Sequence, residues 1–192
     1  MWETSATTCP LCAAPLVSKP IRGRERKRCT RCTWVLYRNP ASAALGVVLD
    51  DRGRVLLVKR SIQPFLGHWA LPAGYQELDE DLPTTARREV LEETGIECEV
   101  LGLLEMLWVP DDPRKPANVA LFLCRAVGGA AEPGVEESEV GWFALDALPE
   151  PLGFHNYERI LARLAEPDRY PDPVWDHLRT LLQHNDGERA SG

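Results

Sequence analysis

Short apolar runs, separated by turns, dominate the chain between residues 40 and 150. They predict six strands, at Ala43–Leu49, Arg54–Lys59, Trp69–Leu71, Val100–Trp108, Asn118–Val127 and Gly141–Leu145. One segment, Asp81–Thr94, is predicted to be a helix that ends at Gly95, and Pro83 is tolerated because it falls in the first turn. The strands are not each followed by a helix, so the pattern predicts a mixed α/β sandwich rather than a doubly wound sheet.

Apolar residues recur at helical spacing in two segments near the C terminus. The first stripe consists of Phe154, Tyr157, Ile160, Leu161 and Leu164, and the second of Val174, Trp175, Leu178, Leu181 and Leu182. Such a stripe is typical of a helix that packs one face against a core. We therefore predict two C-terminal helices whose apolar faces contact the core.

Charge and length divide the 192-residue chain into two parts. The first 39 residues hold eight basic and two acidic side chains, whereas the whole chain has a net charge of −7. A basic head on an acidic body predicts two modules, residues 1–39 and 40–192. No apolar run approaches the ~18 residues of a membrane span, and the N-terminal segment lacks the features of a signal peptide. A cytoplasmic protein without membrane contact is therefore expected.

Four cysteines in the basic head form two Cys-x-x-Cys pairs, Cys9 with Cys12 and Cys29 with Cys32. In a reducing compartment this spacing favours a structural Zn²⁺ site, because two tight turns bring four thiolates to one tetrahedral ion. A redox or disulfide pair is the alternative. Four cysteine ligands leave no open coordination position, so no catalytic role is expected for this metal. Two further cysteines, Cys98 and Cys124, lie in apolar stretches and are interpreted as core residues.

The run from Arg22 to Arg28 concentrates positive charge in the same head. It is interpreted either as a solvated hairpin loop or as a surface that contacts phosphate groups. The acidic remainder of the chain argues against nucleic-acid binding by the whole protein. Nucleic acid is therefore considered as a partner only through this basic run.

Acidic residues dominate the segment that contains the predicted helix, with seven acids and two bases between Gln76 and Glu93. Glu89, Glu92 and Glu93 are spaced by three and four residues, so they share one face of a helix. Carboxylates gathered on one face favour a divalent cation such as Mg²⁺, which takes oxygen ligands and shares its remaining positions with water and substrate phosphates. The spacing therefore indicates metal-assisted phosphate chemistry.

The same segment carries a longer motif. It reads Gly74, five residues, Glu80, seven residues and then Arg88-Glu89-Val90-Leu91-Glu92-Glu93-Thr94-Gly95-Ile96. This pattern resembles the Nudix box without a departure. The flanking segments Arg60–Pro64, Gly67–Tyr75 and Trp142–Asp146 are similar to one branch of the Nudix superfamily, which also has an N-terminal zinc ribbon. The resemblance covers residues 9–165, and it implies an α/β/α sandwich with a mixed sheet, preceded by a small zinc ribbon.

The resemblance implies a metal-binding role for several residues of the motif. Glu89 and Glu93 are implied to be the principal Mg²⁺ (or Mn²⁺) ligands, and Glu92 is implied to share a second ion. The backbone carbonyl of Ala73 would complete a metal shell. Gly74 would allow the tight loop that directs this carbonyl.

Supporting roles and the general base follow from the same resemblance. Arg88 would orient the glutamates, and Glu80 would be an outer or third-metal carboxylate. In some relatives the general base corresponds to Glu89, and in others it lies on a downstream loop. That loop offers Glu136, Glu137 and Glu139 here. We favour Glu139 because it lies just before Trp142, and solvated charge is the alternative for each of the three.

The branch includes ADP-ribose and FAD diphosphatases. The resemblance therefore implies Mg²⁺-dependent hydrolysis of a nucleoside diphosphate linked to another moiety, with release of AMP. Tyr75, Trp108 and Phe65 are candidates to stack on adenine or flavin rings, and plain packing is the alternative for each. The segment Glu105–Pro113 does not match the signature of NADH diphosphatases, so NADH and NAD-capped RNA are kept only as alternative substrates. A nucleotide-binding regulator without activity is the other alternative. Relatives often pair, so a homodimer is expected.

Overall fold

The computed structural model describes residues 5–110, 115–154 and 157–164, together with Asp176 and Thr180. The chain divides into two compact units. Residues 1–40 and 110–116 form the first unit, and residues 41–109 and 117–192 form the second. The five residues of the second C-terminal stripe, expected to form a helix, lie outside the described residues.

The first unit contains a three-stranded antiparallel sheet. Its strands are β1 (Leu16–Ile21), β2 (Arg24–Cys29) and β3 (Val35–Leu36), in that order. Arg22 and Gly23 join β1 to β2 with positive φ angles of 50° and 73°, which suits a two-residue hairpin turn. The interpretation of the basic run as a loop is wrong beyond this turn, because residues 24–28 pair with β1 as a strand.

The core of the first unit is small and consists largely of cysteines. Cys9, Ala14 and Cys29 are buried, and the partly buried residues packed on them are Cys12, Leu16, Cys32 and Trp34. A unit of this size buries too little apolar surface to be stable on that account alone. It is therefore a unit in which a bound metal would contribute to folding.

The second unit is built on one mixed sheet. Its strands are β4 (Ala41–Leu49), β5 (Val55–Arg60), β6 (Trp69–Ala70), β7 (Ala73–Tyr75), β8 (Ile96–Val109), β9 (Ala117–Gly129) and β10 (Glu137–Phe143). The main order is β10-β5-β4-β9-β8, with β6 paired to β5 and β7 paired to β4. β4 and β9 run parallel, and the other pairs are antiparallel. The expected mixed sheet is confirmed.

A helix covers each face of this sheet, as the sandwich requires. Helix α1 (Leu82–Thr94) packs Ala86 and Val90 against one face, and helix α2 (Tyr157–Leu164) packs three apolar residues against the other. Residues of β4 alternate between the two cores: Ala44 and Val48 face α1, and Leu45, Val47 and Leu49 face α2. A Cβ atom on Gly46 would overlap Val90, so this glycine allows α1 to approach the sheet closely.

Helix α1 ends at Gly95 as predicted and begins one residue later than predicted, because Asp81 is its N-cap. The side chain of Asp81 accepts a hydrogen bond from the Thr84 N–H at 2.9 Å, and Gly95 adopts the left-handed conformation with a φ of 71°. Pro83 lies in the first turn, where its missing N–H costs no helical hydrogen bond. The helix that carries the acidic motif is therefore fixed at both ends by local sequence.

The strand predictions differ from the structure mainly at their ends. β8 begins at Ile96, directly after the helix cap, and β10 begins at Glu137 rather than Gly141. Polar residues at these ends pair through their backbone and give no apolar signal in the sequence. β7 was not predicted, because three residues beside a proline are too short to show a period. Among the described residues, none of the helices combines the length and apolar character that a membrane span needs.

Candidate active site

The site is built where strand β7 meets helix α1. The Ala73 N–H donates a hydrogen bond to Glu93 Oε2 at 3.1 Å. A Cβ atom on Gly74 would overlap the carboxylate of Glu89. Glu89 and Glu93, one helical turn apart, therefore both face β7. Glycine is required at position 74 because it leaves room for a carboxylate, which is a different reason from the loop conformation expected from the sequence.

Arg88 ties this side of the site together. Its Nη1 donates to Glu89 Oε1 at 2.8 Å and to Glu92 Oε2 at 3.1 Å. Its Nη2 donates to the carbonyl oxygen of Tyr75 at 3.0 Å. The guanidinium thus links α1 to β7, and the orienting role expected for Arg88 stays a prediction.

Glu80 is fully engaged by its neighbours. Both of its carboxylate oxygens accept hydrogen bonds from Arg88, at 2.7 and 3.0 Å, in a bidentate pair. Oε1 also accepts from the Glu77 N–H and the Thr85 hydroxyl, each at 2.9 Å. The Arg88 hydrogen bonds, with that of Glu77, lower the pKa of Glu80 to about 2. This carboxylate therefore holds Arg88 in place, and its expected role as an outer or third-metal carboxylate stays a prediction.

A second acidic side chain, at the start of strand β10, is buried in the neighbourhood of Glu93. Glu137 is only 7% exposed, and its Oε1 is buried without a hydrogen-bond partner. The loop before β10 docks on the end of α1: the Gly134 N–H donates to the carbonyl oxygen of Glu93 at 3.1 Å. A Cβ atom on Gly134 would lie 2.7 Å from Glu137 Oε2 and 3.1 Å from Glu93 Cα. Glu137 and Glu93 therefore line the same part of the site.

Burial and mutual repulsion change the ionisation of these carboxyls. Desolvation, followed by the charges of Glu137 and Glu89, raises the pKa of Glu93 to about 9. Desolvation, followed by the charge of Glu136, raises the pKa of Glu137. Desolvation also raises the pKa of Glu89, in spite of its hydrogen bond to Arg88. Such crowding of buried carboxyls favours either protons or a cation between them.

The structure does not bring Glu139 to this cluster. Glu139 pairs with Lys59 at 2.8 Å, and its side chain is 55% exposed. A bulge between Glu137 and Glu139 shifts the register of β10 against β5, so spacing along the chain does not reveal which glutamate turns inward. Of the two, Glu137, the first residue of β10, is the one that is buried on the side of the site.

Arg60 is a site residue that the sequence reasoning missed. It ends β5, is 8% exposed and donates from Nε to the Pro64 carbonyl oxygen at 2.7 Å. Arg60 is the cross-strand partner of Glu137, and its charge partly opposes the rise in the pKa values of Glu93 and Glu137. The sequence does offer a signal for Arg60, which is an arginine at the end of an apolar strand. A charge buried there needs partners of opposite charge, and this points to nearby carboxyl groups.

The three aromatic candidates lie on separate elements. Phe65 packs against Phe154, with ring centroids 4.5 Å apart, and against His68 at 5.8 Å. Trp108 lies on β8 and is 54% exposed, and Tyr75 lies on β7. The Arg60 guanidinium lies 6.0 Å from the centroid of the Phe154 ring. Phe65, which packs on Phe154, is therefore the aromatic candidate nearest to Arg60 through a chain of contacts.

The four cysteines of the first unit converge as a metal site would require. Their Sγ atoms lie within 4.8 Å of one another, and three of the pairs are 3.4, 3.7 and 3.8 Å apart. A tetrahedral ion with Zn–S bonds of about 2.3 Å places its sulfurs roughly 3.8 Å apart. The N–H groups of Cys32 and Arg31 donate to Cys29 Sγ at 3.3 Å, which lowers the pKa of Cys29 to about 6. This donor set fits Zn²⁺.

The glutamates do not form so tight a group. Within the described ranges, the cysteines are the one set of three or more candidate ligands whose atoms lie so close together. Glu89 and Glu92 accept hydrogen bonds from Arg88, whereas Glu93 accepts one from the Ala73 N–H, so the three carboxylates point to different partners. The carboxylate oxygens of this site are of the type that Mg²⁺ prefers, and a cation would offset the repulsion that raises their pKa values.

Comparison with known proteins identifies the family. The NUDIX domain family matches residues 39–164. The ADP-ribose pyrophosphatase of Methanocaldococcus jannaschii is 35% identical over 144 residues, covering 74% of this chain and 80% of that protein. The NAD-capped RNA hydrolase NudC of Chromobacterium violaceum is 35% identical over 144 residues, covering 73% of this chain but only 51% of that protein.

A solved structure gives the same result. The crystal structure of a NUDIX hydrolase from Nitrosomonas europaea superposes with a TM-score of 0.77 at 28% identity, covering 88% of this chain and 96% of that one. The chain therefore belongs to the Nudix family. The predicted α/β/α fold and the enzyme class, a hydrolase of phosphoric anhydrides, are confirmed.

Proposed function

We propose that this Nudix hydrolase cleaves the diphosphate linkage of a nucleoside diphosphate joined to another moiety, and that it releases AMP. The observation that carries the proposal is the pair of carboxylates, Glu89 and Glu93, that α1 directs at the Ala73–Gly74 strand, with the charges of Glu137 and Arg60 close enough to act on Glu93. Buried carboxylates beside a buried arginine suit a reaction in which water attacks an anionic phosphorus centre.

We propose that Glu89, Glu93 and the Ala73 carbonyl oxygen hold Mg²⁺ or Mn²⁺, and that Glu92 shares a second ion. The oxygen donors and the repulsion between the carboxyls fit such a cation. When bound, the metal supplies charge neutralisation for the diphosphate and acidifies a water molecule. Arg88 keeps Glu89 and Glu92 in position, and Glu80 keeps Arg88 in position.

We assign the general base to Glu137 rather than Glu139. Glu137 has a buried, unpartnered Oε1, and burial raises its pKa, so its carboxylate is a stronger proton acceptor than an exposed glutamate. Glu139 is held at the surface by Lys59. In the proposed step the water oxygen bonds to phosphorus, Glu137 takes the proton, and the bridging oxygen leaves with the other phosphate. Arg60 stabilises the negative charge that develops.

ADP-ribose and FAD are the proposed substrates. The similarity to an ADP-ribose pyrophosphatase supports the first, and the products would be AMP and ribose 5-phosphate. FAD would give AMP and FMN, and it rests on the resemblance in sequence. Phe65, Tyr75 and Trp108 remain the proposed stacking residues for the adenine or flavin ring.

The test measures AMP release from ADP-ribose, FAD and NADH by chromatography, in excess Mg²⁺. We expect one of the first two substrates to be hydrolysed fastest, and Glu93→Gln to abolish turnover. Glu137→Gln should lower kcat by about 10²–10⁴-fold. Glu139→Gln, two residues away, is the matched control and should retain activity. A Glu139→Gln variant that loses activity while Glu137→Gln retains it would reverse our assignment of the base.

A second substrate class is favoured by the similarity to NudC. If NADH or NAD-capped RNA is hydrolysed faster than ADP-ribose and FAD, this alternative replaces the first. Nucleotide binding without AMP release in Mg²⁺ or Mn²⁺ would instead indicate a regulatory protein.

Three further expectations remain proposals. We propose that the four cysteines bind a structural Zn²⁺ and that residues 1–39 form a zinc ribbon ahead of a Nudix domain at 40–192. We propose a cytoplasmic location, where thiols stay reduced.

We also propose a homodimer. β8 lies at the end of the main strand order and leaves three large apolar side chains exposed, namely Leu103, Met106 and Trp108. Light scattering that gives a monomer mass would contradict the homodimer.

A further inference from the structure

The two faces of the sheet in the first unit differ in character. β1 and β2 pair without a register shift, so alternate residues share a face. Cys29 is buried among the cysteines and marks the inner face, on which Lys27 and Glu25 also lie. The opposite face presents four basic residues, namely Lys19 from β1 and Arg24, Arg26 and Arg28 from β2. The strand residues on this side include no acid, and we call it the basic face.

The charges of the basic face lack partners of opposite sign. Within the part of the chain that the structure describes, none of the four side chains forms an ion pair with a carboxylate. The Nε atom of Arg26 is buried without a hydrogen-bond acceptor. The arginines recur at every second residue, which spaces them about 7 Å apart along the strand. A row of unpaired cations of this kind is suited to a chain of anions.

An aromatic ring lies beside this row. The Tyr37 ring is in contact with Arg26, whose guanidinium carbon lies 4.7 Å from the ring centroid. Tyr37 is nevertheless 52% exposed, so part of its surface is free to contact another planar group. Proteins that bind single strands combine a positively charged track with aromatic rings on which bases stack. Arginine adds bidentate phosphate contacts and stacking of its own.

We propose that the basic face of the first unit binds single-stranded nucleic acid, with Lys19, Arg24, Arg26 and Arg28 on phosphates and Tyr37 stacked on a base. The surface is distinct from the carboxylate site of the second unit, and binding does not depend on hydrolysis. An anionic lipid surface also offers phosphates, but it has no base for Tyr37 to stack on.

The test is fluorescence anisotropy with the full chain, loaded with zinc and without added Mg²⁺. The probe is a labelled oligonucleotide of about 12 nucleotides, as RNA and as DNA. We expect Arg24→Gln with Arg28→Gln to weaken binding about tenfold or more. The slope of log affinity against log salt should become shallower by roughly 1.4, since each phosphate contact contributes about 0.7. The matched control, Arg31→Gln with Arg52→Gln, removes the same charge from exposed positions outside the strands and should stay within about twofold.

Tyr37 provides a second and independent variant pair. Tyr37→Leu should weaken binding without changing the salt slope, because it removes stacking and no charge, and Tyr37→Phe should restore affinity. The proposal is overturned if the single strand does not bind, or if the control pair loses as much affinity as Arg24→Gln with Arg28→Gln. It is also overturned if a duplex of the same sequence, or vesicles rich in phosphatidylserine, bind more tightly than the single strand.

Discussion

At the scale of single residues, the guanidinium of Arg88 organises the acidic side of the site. It contacts three carboxylates and the Tyr75 carbonyl oxygen at 2.7–3.1 Å. Five N–H donors in one plane make this possible, and a lysine ammonium offers three donors at a single point. Without the Arg88 guanidinium, Glu89 and Glu92 should lose the hydrogen bonds that fix their present orientation.

We therefore expect Arg88→Lys to lower kcat by about 10–100-fold, a range typical of residues that support metal ligands. The rate of AMP release under saturating substrate measures the effect. Arg87→Lys is the control, because Arg87 is the preceding residue on the same helix and is exposed. Equal losses in the two variants would show that the effect is not specific to the Arg88 contacts.

A second single residue, Glu93, contributes to the pH dependence of the free energy of unfolding. Its pKa is raised to about 9 in the folded protein, against an ordinary value of 4.5. The folded state therefore binds this proton more tightly than the unfolded state. The resulting stabilisation is complete below about pH 4.5 and is lost as the pH rises towards 9.

We expect the Tm of the protein without Mg²⁺ to fall between pH 5 and pH 9 relative to the Tm of Glu93→Gln. The variant keeps the shape of the side chain and has no carboxylate to ionise. Calorimetry of both proteins across this range measures the difference, and excess Mg²⁺ should reduce it. A difference in Tm that stays constant with pH would contradict the raised pKa.

At the scale of elements, the site depends on how closely helix α1 approaches the sheet. Gly46 on β4 lies beneath Val90 of α1, and any Cβ atom there would overlap the valine. Ala86 and Val90 are fully buried in the core between the two elements. The packing that holds α1 therefore also sets the position of Glu89 and Glu93 against β7.

We predict that Gly46→Ala lowers the free energy of unfolding by about 1–3 kcal/mol, the usual cost of overpacking a core. Urea denaturation measures this loss. Val90→Ala removes the atom that the new methyl group would meet, so the double variant should lose less stability than the sum of the two single losses. Strict additivity would show that the helix moves away without strain.

At the scale of the whole molecule, two units stabilise themselves by different means. The second unit buries apolar cores on both faces of its sheet, whereas the first has a small core in which cysteines predominate. Burial is therefore sufficient for the second unit, whereas we propose that the first unit depends on its four thiols and a bound Zn²⁺.

We expect one Zn²⁺ per chain by elemental analysis after gel filtration. Cys29→Ser should lose this zinc and lower the thermal stability of the first unit. Cys98→Ser is the control, because Cys98 lies on β8 outside the cysteine cluster and its replacement should leave the zinc content unchanged. Zinc-free wild-type protein, prepared from zinc-supplemented cells, would contradict the prediction.

The sequence by itself determined what depends on local spacing. Helical periodicity places Glu89 and Glu93 on one face, the caps at Asp81 and Gly95 fix the ends of α1, and two Cys-x-x-Cys turns gather four thiols. These features follow from backbone geometry within a few residues, and the Nudix box adds their chemical context.

Only the tertiary structure decided which distant residues join them. Glu137 rather than Glu139 is buried on the side of the site, because a bulge sets the register of β10 against β5 and a shift of one residue reverses the faces. Arg60 enters the site from the end of β5, and strand pairing in the first unit aligns three arginines on one face. Such placements depend on contacts between segments far apart in the chain, and spacing along one segment does not specify them.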